Sequence, residues 1–258
     1  SVSPESILGQ SRNIPYDMLL RRANQKRREA NYRRLQRMPS PMRLSANTFA
    51  DQKNKAALVI LAQFKGDDEK FKDADAKGKF TAMLTQNGYS YNGATGCAKE
   101  YFDQQFNGKH DFSFDVTDVV TVSQRRSYYG ANDKNGNDKN PHEMVMEACK
   151  LADEKVDFKK YDQDGDGEVD NVFVFFAGLD EASGAEEDHI WSHAWFIMDG
   201  AGEDLFLDGV RINRYACAAE LEGNTYDKSY MTAIGTFCHE YSHTLGLPDF
   251  YDTDYPEG

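Results

Sequence analysis

The stretch KAALVILAQF, Lys55–Phe64, decides the fold class of this 258-residue chain. It is short and almost continuously apolar. A run of this kind is typical of a central strand, because a strand buried on both faces needs apolar side chains at successive positions. A second such run, DNVFVFFAG, covers Asp170–Gly178. The two runs predict two central strands of one sheet.

Elements with other periodicities surround these runs. Phe80, Met83 and Leu84 recur at helical spacing, and alternation of apolar and polar residues begins at Phe112. A strand-rich stretch precedes the last helix. The remaining predicted elements are a helix ending at Phe106, a turn at Asn107-Gly108, a strand over 112–122, a loop over 128–141 and a helix over 142–158. The expected fold is α+β, with a mixed twisted sheet and long helices.

Composition limits the classes of protein. The chain is 40% hydrophobic, enough for a globular core. Its longest apolar runs are far shorter than the roughly 20 residues that cross a bilayer, so we expect no transmembrane segment. Its start has no apolar signal core, so we expect any export signal to be absent or removed. Four cysteines allow either free buried thiols or one or two disulfides.

The net charge of −13 is unevenly distributed. Residues 1–46 contain ten Lys/Arg and three Asp/Glu, a charge of +7, which leaves −20 on residues 47–258. Leu19–Arg37 is typical of a basic helix, and the prolines at 39 and 41 favour a boundary near residue 46. This segment could be a solvated arm, an arm for nucleic acid or membrane, or a pro-segment on an acidic body.

The stretch HEYSHTLGLPD, His239–Asp249, has two histidines four residues apart and a glutamate beside the first. On a helix, His239 and His243 would lie on one face and could reach the same ion. Glu240 would lie close by, angled to accept a proton rather than to bind the metal. Neutral imidazoles, a metal-activated water and a carboxylate base are the components of zinc hydrolysis. The alternative is an amphipathic helix whose histidines are ordinary polar groups.

Gly246 and Pro248 indicate where that helix ends. Glycine adopts the left-handed turn that often terminates a helix, and a proline two residues later prevents the helix from resuming. Asp249, six residues after His243, could then return as the third protein ligand and leave a fourth position for water. Asp252 ranks below it, because the spacing to Gly246 favours the nearer aspartate.

The stretch HEYSHTLGLPDFYD resembles the zinc signature of the immune inhibitor A family of secreted bacterial metallopeptidases, a metzincin group. GATGCAKEYFDQQFNGK, YDQDGDGEVDNVFVFFAG and IWSHAW resemble family segments in the same order, so the likeness covers about residues 55–258. It implies a metzincin-like zincin upper subdomain with the zinc ligands His239, His243 and Asp249 at its last helix. It also implies that Glu240 is the general base and acid for peptide-bond hydrolysis, and that the protein is secreted, periplasmic or at the cell surface.

The stretch DQDGDGEVD, Asp162–Asp170, carries acidic residues at alternating positions, with Gly167 where a calcium loop turns sharply. The candidate ligands are the carboxylates of Asp162, Asp164 and Asp166, the backbone carbonyl of Glu168 and a group at Asp170. The match is partial, since Phe173 stands where an EF-hand has a glutamate. A plain Asp/Gly turn is the alternative. The resemblance favours a structural calcium ion, because relatives of the family are calcium-dependent.

His189 and His193 are also four residues apart, but their context is strand-like. Strand geometry would separate them by about 13 Å, too far to share one ion. We expect both to have structural roles or to lie near the cleft.

Relatives of the family carry inhibitory pro-segments, so residues 1–46 are also predicted to lie across the cleft. No cysteine precedes Cys97, so a cysteine cannot cap the zinc from this segment. The available carboxylates are those of Glu5, Asp17 and Glu29. Asp17 is preferred because Pro15 favours an extended approach, whereas neighbouring arginines would compete for Glu29.

The predicted function is a zinc-dependent endopeptidase acting on protein or peptide substrates, made as a latent zymogen, with catalytic zinc and structural calcium. Metzincins continue into a lower subdomain with a methionine turn, and no methionine follows Met231 here. We therefore expect residues 47–258 to be the N-terminal part of a catalytic domain that pairs with a missing C-terminal part. The alternative is an inactive, calcium-stabilised binding or scaffold protein with a protease-like fold. Nucleic-acid binding is disfavoured, because the basic arm faces a body of charge −20.

Overall fold

A computed structural model describes residues 53–66 and 70–245. The predictions on the basic segment 1–46, including Asp17, fall outside this part of the chain. So do those on Gly246, Pro248, Asp249 and Asp252.

The elements alternate along the chain before a strand-rich stretch near its end. The strands of the described part are β1 (Asn54–Gln63), β2 (Asp111–Thr121), β3 (Val172–Leu179), β4 (His193–Phe196), β5 (Leu205–Leu207), β6 (Val210–Ile212), β7 (Arg214–Glu222) and β8 (Tyr230–Met231). Its α-helices are α1 (Ala76–Thr85), α2 (Ala98–Gln105), α3 (Arg126–Gly130), α4 (Pro141–Ala152), α5 (Ile197–Ala201) and α6 (Ile234–Thr244).

The main sheet is mixed, as predicted. Its strand order is β2-β1-β3-β7-β4, and β8 also pairs with β7. Neighbours from β2 to β7 are parallel, whereas β4 and β8 run antiparallel to β7. Strands β5 and β6 form a separate hairpin.

The two apolar runs form the central strands β1 and β3. Residues 57–62 of β1 are all buried, and β3 is buried along almost its whole length. Both strands have parallel neighbours on each side, so both of their faces are covered and every position favours an apolar side chain.

Each face of the sheet has its own apolar core. Phe173 and Phe175 of β3 pack with side chains from α1, α2 and α6 on one face. Val174 and Phe176, which alternate with them, pack with α4 on the other face. Helix α6 is therefore fixed to the sheet through the first of these cores.

Two sequence predictions differ from the structure. The described α-helices have 5 to 12 residues, so the prediction of long helices is wrong for this part of the chain. The helix predicted over 142–158 ends at Ala152, and a short 3-10 helix follows at Phe158–Tyr161. Phe158 is buried and donates its backbone N–H to Asp208 at 2.8 Å, so this residue does not continue the helix. No helix of the described residues is long and apolar enough to cross a membrane.

Candidate metal centre

Helix α6 brings His239, Glu240 and His243 together. The Nε2 atoms of the two histidines are 3.2 Å apart, and their rings meet edge to face with centroids 4.7 Å apart. Ligand atoms from all three residues lie within 4.8 Å of one another. The four-residue spacing has thus placed both imidazoles on one side of the helix.

The two imidazoles fit a zinc ion. Zinc holds histidine nitrogens at about 2.0–2.1 Å, which in tetrahedral geometry separates two of them by about 3.3 Å. The observed separation of 3.2 Å matches this value. The His239 side chain is 34% exposed, so the pair is open to solvent on one side. A zinc ion held here would be accessible to a substrate.

Glu240 is the buried member of this group of three residues. Its side chain is 4% exposed, and its Oε1 atom lies 3.9 Å from Nε2 of His239. A general base must reach its proton directly or through one water molecule. The position of this carboxylate suits an exchange of protons with a water molecule beside the histidines.

An aromatic cluster orients α6. Phe237 and Tyr241 are fully buried, and their stacked rings lie 5.4 Å apart with an interplanar angle of 9°. Phe237 contacts Phe173 of β3 at 4.6 Å between ring centroids. Residues two apart on a helix point about 200° apart around its axis. With Phe237 and Tyr241 facing the sheet, the histidines at 239 and 243 face away from it.

The described helix ends next to the predicted helix terminator. Its last residue is Thr244, and Leu245 is the C-cap. The glycine expected to end the helix comes directly afterwards, at 246, and the predicted ligand Asp249 three residues later. Both lie outside the described residues.

The acidic turn forms a second group of carboxylates. Oxygen atoms of Asp162, Asp164 and Asp166 lie within 4.8 Å of one another. Asp162 accepts backbone N–H groups from residues 165, 166 and 167 at 2.9 to 3.1 Å. Gly165 and Gly167 have φ of +76° and +87°, which glycine adopts without strain. The backbone thus curls around Asp162 and holds the three carboxylates close together.

Glu168 and Asp170 are placed differently from those three carboxylates. The Glu168 side chain pairs with Arg211 at 2.8 Å, and Asp170 accepts hydrogen bonds from the backbone and side-chain nitrogens of Gln163. Burial, together with the charges of Asp164 and Asp162, raises the pKa of Asp170 to about 7, although the hydrogen bonds from Gln163 act in the opposite direction. A bound cation would relieve this concentration of negative charge.

His189 and His193 have separate surroundings. His189 lies in a turn, with Nδ1 3.0 Å from the carbonyl of Glu186. His193 begins β4, with Nδ1 2.6 Å from the carbonyl of Trp191 and Nε2 2.9 Å from the hydroxyl of Tyr215. Neither histidine belongs to a group of metal-binding side chains within residues 53–66 and 70–245.

The four cysteines, all in the described part, are free and buried. Of the two states that the sequence allows, the structure therefore shows thiols. Burial raises the pKa of Cys149 and of Cys238 to about 12. These two thiols are therefore protonated near neutral pH.

Two imidazoles and a buried carboxylate in a His-Glu-x-x-His helix define the class of metallopeptidases. A comparison with protein families agrees: residues 48–258 match the catalytic domain of the immune inhibitor A peptidases, peptidase family M6. The chain belongs to this family, which confirms the resemblance seen in the sequence.

Two curated proteins are similar to part of this chain. Immune inhibitor A of Bacillus thuringiensis subsp. alesti is 33% identical over 184 residues, which are 61% of this chain and 26% of that protein. Pre-pro-metalloprotease PrtV of Vibrio cholerae serotype O1 is 29% identical over 182 residues, which are 61% of this chain and 19% of that protein. The matched region is thus a minor part of either relative.

Proposed function

We propose that this chain belongs to a zinc-dependent endopeptidase that hydrolyses peptide bonds of protein or peptide substrates. The observation that carries the proposal is the group of His239, Glu240 and His243 in a chain of the M6 peptidase family. The separation of 3.2 Å between the histidine nitrogens and the burial of the carboxylate support it.

Each residue of the group has a distinct role. Zinc, when bound, would supply a Lewis acid that polarises a carbonyl and makes water a nucleophile at neutral pH. His239 and His243 would hold it as neutral imidazoles through Nε2. Glu240 would take a proton from the attacking water and pass it to the departing amine. The burial of its side chain shields the carboxylate itself from bulk water.

Asp249 completes the proposed ligand set. The helix ends at Thr244 with Leu245 as its C-cap, and Gly246 and Pro248 favour a turn that returns the chain toward the histidines. Two imidazoles and one carboxylate would leave a fourth position for water and substrate, which catalytic zinc sites require. A metzincin-like upper subdomain is part of this proposal.

We further propose that the acidic turn binds calcium as a structural cofactor. Asp162, Asp164 and Asp166 supply closely spaced hard oxygen atoms, which calcium prefers. The carbonyl of Glu168 and a group at Asp170 are the other proposed ligands. The ion would stabilise the segment that leads into β3.

Residues 1–46 are the proposed pro-segment, with Asp17 as the residue that caps the zinc. Their charge of +7 complements the −20 of the remainder, and one relative is named a pre-pro-metalloprotease. The family resemblance supports a secreted, periplasmic or cell-surface location. It also supports a C-terminal part of the same protein as a partner of residues 47–258.

The zinc assignment is tested by two substitutions in the full protein. His243→Ala removes one imidazole, and zinc content measured by atomic emission should fall from one equivalent to near zero. Glu240→Gln keeps both imidazoles, so zinc should remain while kcat/KM on an unfolded protein substrate falls about 10²- to 10⁴-fold. His189→Ala is the control and should keep both zinc and activity.

Three outcomes would each contradict one part of the proposal. A full equivalent of zinc in His243→Ala would place the metal elsewhere. Parental turnover in Glu240→Gln would mean that another residue is the base. A parent protein that binds zinc but hydrolyses no peptide, with Glu240 intact, would support the inactive scaffold protein.

A further inference from the structure

Strand β7 contacts the N-terminus of α6 through its last residue, Glu222. Oε1 of Glu222 accepts hydrogen bonds from the backbone N–H of Ala233 and the hydroxyl of Thr232, both at 3.0 Å. Ala233 is the N-cap of α6, and an alanine side chain cannot accept a hydrogen bond. Glu222 therefore brings to this end of the helix a carboxylate that the N-cap residue lacks.

The same strand contacts the C-terminus of α6 through its first residue, Arg214. Nη1 of Arg214 donates a hydrogen bond to the carbonyl of Thr244, the last residue of α6, at 3.0 Å. The guanidinium also lies over the ring of Phe196, 5.7 Å from its centroid. Helix carbonyls in the last turn have no partner within the helix, so this hydrogen bond satisfies one of them.

The two charges match the polarity of the helix. The N-terminus of an α-helix carries a partial positive charge and the C-terminus a partial negative one. Glu222 and Arg214 place the complementary charge at each end. Between them, β7 is buried from Tyr215 to Leu221 and pairs with β3, β4 and β8. The strand thus fixes the separation of the two charges.

This arrangement bears directly on the histidines. His243 immediately precedes Thr244, whose carbonyl Arg214 holds. The N–H of Leu245 is shared between the carbonyls of Tyr241 and Ser242, at 3.3 and 3.1 Å, so the final turn is tightening at this point. If that turn loosened, His243 would move relative to His239, which lies one turn earlier.

We propose that Arg214 and Glu222 are positioning residues for zinc. They hold α6 at both ends so that His239 and His243 present their Nε2 atoms at a separation that fits one ion. The inference rests on the proposed zinc function and adds two residues that act through the ends of α6.

The test measures zinc binding in the full protein, not activity alone. Arg214→Met keeps the apolar stem over Phe196 and removes the charge and the donors, and Glu222→Ala removes the acceptor. Each should weaken zinc affinity about tenfold, the lower end of the effect of residues that orient metal ligands. Competition with a chromophoric chelator gives the affinity. The visible absorption of the cobalt(II)-substituted protein should change because its ligand geometry changes.

Conservative and matched variants separate positioning from general stability. Arg214→Lys and Glu222→Gln keep a donor or an acceptor and should recover most of the lost affinity. Arg126→Met breaks the ion pair with Asp188, at 3.0 Å, and Glu147→Ala removes an acceptor of the Ser123 N–H and the Tyr129 hydroxyl. These two controls should keep the zinc affinity and cobalt spectrum of the parent.

The outcomes separate this inference from the proposed function. Parental zinc affinity and cobalt spectra in Arg214→Met and Glu222→Ala, even with lowered melting temperatures, would overturn the inference and leave the zinc function standing. Equal losses in the two controls would overturn it as well, because general destabilisation would then explain the effect. If Arg214→Met does not fold, zinc binding by Glu222→Ala decides. A parent that binds no zinc would overturn the proposed function and the inference together.

Discussion

This chain has two pairs of histidines with the same four-residue spacing, and the two pairs have different surroundings. His239 and His243 lie on an open side of α6 with their ring nitrogens next to each other. His193, also in a pair spaced by four residues, has both ring nitrogens in hydrogen bonds to Trp191 and Tyr215. Burial lowers the pKa of His193 to about 4, so its ring is neutral near pH 7.

The burial of His193 predicts sensitivity to acid. An unfolded chain protonates histidine near pH 6.5, whereas the folded chain does so only near pH 4. The stability linked to the neutral ring is therefore complete above about pH 6.5 and is lost as the pH falls toward 4. We expect the melting temperature to fall across this range in the parent. In His193→Gln it should fall less steeply, because glutamine keeps a donor and an acceptor but does not titrate.

Thermal melts followed by circular dichroism at several pH values between 7 and 4 would check this. His110→Gln is the control, because His110 does not belong to the buried pair of His193 and Tyr215. In this variant the melting temperature should change with pH as it does in the parent. Parallel slopes for His193→Gln and the parent would show that another group controls the acid response.

At the scale of elements, the sequence predicted correctly those features whose pattern lies within a single strand or helix. The apolar runs predicted β1 and β3 because strands with parallel neighbours are buried on both faces. The His-Glu-x-x-His spacing predicted α6, because residues four apart lie on the same face of a single helix. The extension of α4 to residue 158 was wrong, because the backbone N–H of Phe158 is bonded to the distant Asp208, a contact that the local sequence does not indicate.

Contacts between different elements could not be predicted from the sequence. Arg214 and Thr244 are 30 residues apart, and Glu222 and Ala233 are 11 apart. An arginine and a glutamate at the ends of a strand have no distinctive pattern, since charged residues commonly flank buried strands. Only the pairing of β7 beside α6 shows that these two side chains reach the ends of the helix.

The acidic turn gives a prediction at the element scale. If Asp162, Asp164 and Asp166 bind calcium, saturating calcium should raise the melting temperature of the parent over that with chelator. At a hundredfold excess over Kd the gain is about 2.7 kcal/mol, or about 5–10 °C. Asp164→Ala should abolish this difference, because it removes one of three clustered carboxylates, while zinc content stays at one equivalent.

Asp133→Ala is the matched control for this experiment. Asp133 also accepts backbone N–H groups within its own turn, from Asn135 and Asn137, but belongs to neither metal-binding group of the described residues. It should leave the calcium response intact. If the melting temperature of the parent is the same with calcium and with chelator, the plain Asp/Gly turn would be favoured.

At the scale of the whole molecule, the charge asymmetry of the chain bears on latency. Residues 1–46 carry +7 and the remainder −20, so the two parts attract each other at moderate ionic strength. A pro-segment held in this way could present a carboxylate to the zinc. Asp17 is the proposed carboxylate.

The complete enzyme should therefore be less active before cleavage near residues 38–42 than after it. Asp17→Ala should raise the activity of the uncleaved protein toward that of the cleaved form, because the zinc loses its capping carboxylate. Peptidase assays before and after cleavage at that site measure this. Glu29→Ala removes a carboxylate of the same segment and should leave latency unchanged. Equal activity of the uncleaved and cleaved parent would rule out an inhibitory segment.

The position of β7 in the sheet and along the chain also affects the order in which the elements fold. Its parallel partner β3, and the strands β1 and β2 beyond β3 in the sheet, come earlier in the chain, and parallel pairing between such distant strands is slow to form. Helix α6 follows β7 and takes both of its end contacts from it. During synthesis from the N-terminus, the helix gains its docking surface only after the parallel sheet has been assembled. We therefore expect His239 and His243, the proposed zinc ligands, to be set in place late, after most of the described residues around them have folded.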